Sequence, residues 1–160
     1  RFLDDGFYYL VTGSLFDSKY EGGDGIERDT RYNRKHVVNL LAGKEFKVRG
    51  YNILSLNGRF TYLGGERTHP VLWDSSLVVQ RAIEDETRAF EETLDANQYL
   101  DLTITYRMNH QRMAHILALQ VKNLLGNAND YGYVYNYQTE TLEKDRMTIV
   151  LPSISYKVEF

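Results

Sequence analysis

Cysteine is absent from this chain, proline occurs only twice and tryptophan once. Without cysteine there is neither a disulfide scaffold nor a thiolate metal site, and the compartment is left open. No stretch approaches the ~18 consecutive apolar residues of a membrane-spanning helix. That excludes a helical span but not a membrane strand, whose oily and wet faces average out in any hydropathy window. Basic clusters are also missing. Lys and Arg are scattered and the net charge is −3, which gives no reason to expect a nucleic-acid partner. No low-complexity linker divides the 160 residues, a length that suits one domain or one piece of something larger. The first residue is Arg1, with neither an initiator Met nor a signal peptide, as in a mature product or a fragment. What the chain has in quantity is tyrosine, 13 copies, with 7 phenylalanines. That supply favours sheet over helix.

Alternation of apolar and polar residues picks out six candidate strands, at residues 6–20, 34–48, 52–64, 98–109, 113–125 and about 146–160. The third sets Leu54, Leu56, Phe60 and Tyr62 against Ser55, Asn57, Arg59 and Thr61. The fourth sets Leu100, Leu102, Ile104 and Tyr106 against Asp101, Thr103, Thr105 and Arg107. The last, "LPSISYKVEF", puts Ile154, Tyr156, Val158 and Phe160 on one side. Strands in sequence with turn signals between them predict an all-β antiparallel meander.

The connections add direction. Long ones ("EGGDGIERDTRYN", residues 65–97 and 126–145) alternate with short ones ("RGY", "HQR"). All short turns therefore gather at one end of the sheet and all long loops at the other, as in outer-membrane barrels. Aromatics sort by strand end too: Phe7, Tyr9, Phe46, Tyr51, Tyr106, Tyr156 and Phe160 at one, Phe16, Tyr20, Tyr32 and Tyr62 at the other. Membrane interfaces collect such girdles. Phe7 and Phe16, nine steps apart, span ~23 Å at a tilt of roughly 40°, close to the ~25 Å apolar band of such barrels. Residues 75–94 carry the spacing of a short amphipathic helix, with an ordered loop as the preferred reading.

Taken in order, "YEGGDGIERDTRYN…VVNLLAGKEF", "LNGRFTYLGGER", "DLTITYRMN", "LALQVKNLLGNAN" and "SISYKVEF" resemble the C-terminal barrel segment of TonB-dependent outer-membrane receptors of the Bacteroidetes type. The resemblance covers essentially all of residues 1–160 and rests on the ordered combination. It implies part of a transmembrane barrel of about 22 strands with a plugged lumen. It also implies active uptake of an iron chelate, glycan, peptide or vitamin. The implied partners are outer-membrane lipid, the remaining barrel strands and plug, a periplasmic energy-coupling protein, the barrel-assembly machinery and a surface lipoprotein. The implied location is the bacterial outer membrane with the C-terminus in the periplasm, and Tyr156, Val158 and Phe160 stand where the family carries its assembly signal. The plug and upstream strands are not in this sequence. Six strands fall short of the about eight of the smallest membrane barrels, so the sheet is expected to be completed by strands outside residues 1–160. Two other readings are a soluble β-barrel or sandwich binding an apolar ligand, and a passive barrel built from several chains.

Little in the sequence points to catalysis, and no catalytic residue, cofactor site or metal ligand is assigned. His36, His69, His110 and His115 lack zinc-site spacing. Asp17, Asp24 and Glu27 hint at calcium but lack the order of an EF-hand loop. Asp85, Glu86, Glu91 and Glu92 read as a wet loop face, and Ser14, Asp101 and His115 have no nucleophile-elbow context. The one ligand-contact candidate is "DYGYVYNYQ", which sets Tyr131, Tyr133, Tyr135 and Tyr137 on one parity. Aromatic faces of that kind stack on sugars and other ligands, and the bland alternative is a hairpin whose tyrosines pack on neighbouring loops.

Overall fold

A computed structural model describes residues 5–160. The strands in chain order are β1 (Phe7–Leu15), β2 (Lys19–Glu21), β3 (Glu27–Asp29), β4 (His36–Val48), β5 (Asn52–Leu63) and β6 (Arg67–Thr68). A short helix, α1 (Trp73–Val79), and one 3-10 turn (Glu86–Arg88) follow. The chain then forms β7 (Glu92–Thr93), β8 (Asn97–Asn109), β9 (Ala114–Lys122), β10 (Ala128–Asn136), β11 (Thr141–Thr148) and β12 (Leu151–Glu159). Six of these make one antiparallel sheet in the order β1-β4-β5-β8-β9-β12, each beside its sequence neighbour. The all-β meander expected from the alternation is what forms.

Register shows which residues share a face, because directly opposed residues in antiparallel strands point the same way. One row across the sheet is Tyr9, Ala42, Gly58, Leu102, Val121 and Pro152. Two steps nearer the short turns lies Phe7, Lys44, Leu56, Ile104, Leu119 and Ile154. Then come Phe46, Leu54, Tyr106, Leu117 and Tyr156. These rows form one apolar face, interrupted by Lys44, whose ammonium lies 5.6 Å from the centre of the Phe46 ring. The reverse face carries Tyr8, Gly43, Asn57, Thr103, Gln120 and Ser153 in one row, with Arg59 opposite Asp101 in the next.

Nothing among the described residues covers the apolar face. Leu119 is 41% exposed and Ile154 76%, and among the described residues the buried apolar side chains are Ala114, Tyr135 and Leu142. The chain exposes 11121 Å², whereas a compact monomer of its 18.7 kDa would expose roughly 8,300 Å². Among the described residues the sheet is thus a single layer. β1 and β12 are its edges, and the described residues do not close it into a barrel.

Both short turns sit where expected. Arg49 and Gly50 take positive φ of 39° and 72° in the β4–β5 turn, the backbone that suits a tight hairpin. Three expectations need correction. Residues 146–160 are not one strand: the chain leaves the sheet at Ile149–Val150, so β11 belongs to a separate hairpin and only β12 to the sheet. The first strand does not run to residue 20: β1 ends at Leu15, and Lys19–Glu21 form β2, which pairs with β3 in a hairpin of its own. Phe16 lies one residue beyond β1, an odd number of steps from Phe7, so alternation does not set the two on one face. Tyr20 also leaves the sheet and meets Phe90 edge-on at 6.3 Å.

Candidate functional site

The long connections form a polar layer at one end of the sheet. Its base is held by Asn33, which is 1% exposed and donates through Nδ2 to Asp17 (2.8 Å) and Asp29 (2.7 Å). Lys35 binds Asp17, and Arg67 reaches Asp29 at 3.0 Å. The Asp17 carboxyl lies below its ordinary range, first because Lys35 donates to it and next because Asn33 does. The three acids that hinted at calcium are taken up by cations of the chain: Asp17 by Lys35 and, at 4.0 Å, Lys19, Asp24 by Arg28 at 2.7 Å and Glu27 by Lys19 at 2.8 Å. Among the described residues no three His, Asp or Glu side chains converge as metal ligands.

Above this base the loop after β5 turns back at Gly64 and Gly65. A Cβ on either would strike backbone, the carbonyl oxygen of Arg34 or of Leu94 respectively, so only glycine permits that approach. Of residues 75–94, which carry the spacing of a short helix, only 75–79 are α-helical, as the end of α1; most of the rest is ordered loop with one 3-10 turn. The single stretch α1 ends at Gln80 in the left-handed conformation (φ 56°). Fully buried Ser76 accepts from the Ile83 amide at 2.8 Å and donates to the Leu72 carbonyl at 2.6 Å. Of the acidic run, Asp85 caps the 3-10 turn through the Thr87 amide (3.0 Å) and Glu91 pairs with Arg88 (2.7 Å).

Between these loops and the β10–β11 hairpin opens a cleft of about 370 Å³. Its charges are matched internally. Arg31 and Arg34 both bind Glu66, and His69 Nδ1 lies 3.2 Å from Glu84. What remains for a ligand is mostly aromatic faces and side-chain amides: Phe90, Tyr99, Tyr131, Asn97 and Asn129. A cleft of that composition suits an uncharged, hydrogen-bonding ligand better than a strongly ionic one.

The tyrosine run lies on β10 and the turn after it, and the structure breaks its common parity. One extra residue enters β10 between Asp130 and Tyr133, with Gly132 at φ 102°. This bulge puts Tyr131 out of phase. Tyr131 lines the cleft, whereas Tyr133 packs edge-on against Trp73 at 5.4 Å and buried Tyr135 against Tyr137 at 5.0 Å. The hairpin is tied down by Lys144, 2.9 Å from Asp95 and 3.2 Å from Asp130. Those two carboxylates, Asp95 first, raise the Lys144 pKa, and Lys144 in turn depresses that of Asp95.

The "VKNLLGN" segment is a junction rather than a loop. Asn123, buried and at φ 52°, donates through Nδ2 to the carbonyls of Asn127 (2.8 Å) and Ile149 (3.0 Å). Its own amide donates to Asp101 at 3.0 Å, the carboxylate that also accepts from Arg59. Asp101 is therefore bound into the polar face. Ser14 at the loop end of β1 and His115 near the short-turn end of β9 lie far from it along the sheet. At the far end of β12, Tyr156 accompanies Leu117, Val158 lies opposite His115, and Phe160 is 98% exposed. The hairpin register also brings the His110 and His115 rings to 5.6 Å, a proximity their spacing had not suggested. Comparison with protein-family models, with characterised proteins and with solved structures finds no match to this chain.

Proposed function

We propose that the chain is part of the barrel wall of a TonB-dependent outer-membrane receptor, serving active uptake of a nutrient. The observation that carries this reading is the two-faced single sheet. Its apolar face, broken by Lys44, is covered by none of the described residues, and its reverse face is laddered with polar pairs such as Arg59–Asp101 and Thr61–Asn39. In water such an oily face is a liability; against lipid it needs no protein cover. Aromatic residues toward the short turns (Phe46, Tyr106, Tyr156) and the stacked His36–Tyr62 pair toward the loops suit two interfaces. Short turns at one end and a built loop layer at the other agree with a periplasmic and an extracellular side.

In this reading β1 and β12 pair with further strands, because an open sheet edge is costly in lipid. The polar face looks onto the lumen and plug, and the loop cleft with Tyr131 is the place for ligand contact. The resemblance in the ordered segments from "YEGGDGIERDTRYN" to "SISYKVEF" supplies the family. Detergent dependence tests the membrane part. The chain should partition into bilayers and precipitate without detergent, and a stable, water-soluble monomer would sink the proposal.

A further inference from the structure

The β8–β9 hairpin carries a cluster that sheet architecture does not require. Two of the chain's 3 methionines and two of its 4 histidines fall within "MNHQRMAH", as Met108, His110, Met113 and His115. Register sets them on one face. Met108 stands directly opposite His115. Asn109 opposite Ala114 takes the other face, and the next pair, closed by the His110 amide donating to the Met113 carbonyl at 2.9 Å, returns to the first. The four side chains thus occupy two adjacent cross-strand positions, with the histidines on one diagonal and the methionines on the other. Ring centres of His110 and His115 are 5.6 Å apart. That separation fits a shared ion at ~2.0–2.1 Å from one nitrogen of each ring. His115 is also oriented from behind. Its Nδ1 lies 2.6 Å from the Tyr156 hydroxyl, and with the Nδ1 proton donated there, Nε2 presents its lone pair. A ligand histidine is commonly fixed in this way.

We infer that this turn is a binding site for a soft monovalent metal ion of the Cu(I) class, held by His110 and His115 with thioether sulfur from Met108 and Met113. Thioether and imidazole together favour Cu(I) over ions that seek oxygen ligands. The donor set is neutral, and Arg112 lies in the same turn, so a monovalent ion meets less repulsion there than a divalent one. The inference uses only this hairpin and stands whether or not the transport reading holds.

The test is anaerobic competition of the full chain in detergent micelles against bicinchoninate for Cu(I), with Zn(II) titrated in parallel. One Cu(I) per chain is expected, with sulfur in its X-ray absorption shell. His110→Ala and Met113→Leu alter exposed residues of the turn, and Met to Leu keeps volume. Each should weaken Cu(I) binding by about tenfold or more. Cu(I) affinity unchanged in both variants, a shell without sulfur, or tighter Zn(II) binding indifferent to Met113→Leu would each overturn the assignment.

Discussion

The Tyr8 hydroxyl donates to the side-chain oxygen of Asn57 across Gly43, which occupies the strand between them. The phenol lies where a side chain of residue 43 would go: a Cβ there would come within 2.6 Å of the Tyr8 ring and closer still to the Asn57 oxygen. An aromatic covering a mid-strand glycine repairs the stability that glycine removes from a sheet. Gly43→Val should therefore displace Tyr8, break the bond and cost about 1–3 kcal/mol. Urea unfolding in detergent would register this, and Asn57→Ala combined with Gly43→Val should add little, since both remove the same contact.

Facing is tested by one neighbouring pair. Leu102 lies on the apolar face between Gly58 and Val121, while Thr103 lies on the polar face between Asn57 and Gln120. Leu102→Arg should impair membrane assembly, at ~2–4 kcal/mol near mid-bilayer. Thr103→Arg should be tolerated. Equal effects in a folding assay with lipid vesicles would refute the assignment of faces.

Asn123 links β9, the loop after it and the approach to β12 through its two amide donations. Asn123→Gly keeps the left-handed backbone but abandons both carbonyls, whereas Asn123→Ala also strains φ. Each should cost about 1–3 kcal/mol locally, Ala more than Gly. Limited proteolysis between residues 124 and 150 should become faster in that order.

In the β2–β3 hairpin, Arg28 donates to the Asp24 carboxylate and the Ile26 amide adds a second bond, together lowering the Asp24 pKa to about 2. A depressed folded pKa means that the contribution is present above the ordinary carboxylate range and is lost as pH falls through about 2. The hairpin should hold its Asp24–Arg28 contact through mild acid, with the carboxyl 13C shift titrating near that value. In Arg28→Gln the titration should move up toward the ordinary range.

Much of the sheet was legible in the sequence because its signal is local. Alternation along "NILSLNGRFTYLG" and "QYLDLTITYRMN" fixes two faces without reference to any partner strand. Short turns between long strands then leave little choice of register. The loop layer was not legible in the same way. Whether Asp17 meets a calcium ion or Lys35 depends on where a lysine eighteen residues away arrives. Whether Tyr131 joins Tyr133 depends on one bulge residue in β10.

The sequence by itself determined the six strands of the main sheet over most of their length, their two faces and the end at which each turn lies, since period and turn chemistry are properties of neighbouring residues. Only the tertiary structure decided that Asn33 would be buried between two aspartates, that Asn123 would grip Ile149, and that His110 and His115 would meet. These contacts depend on how one strand slides against the next and where a loop lands. That is settled by the sum of many weak cross-strand preferences rather than by any stretch of sequence read alone.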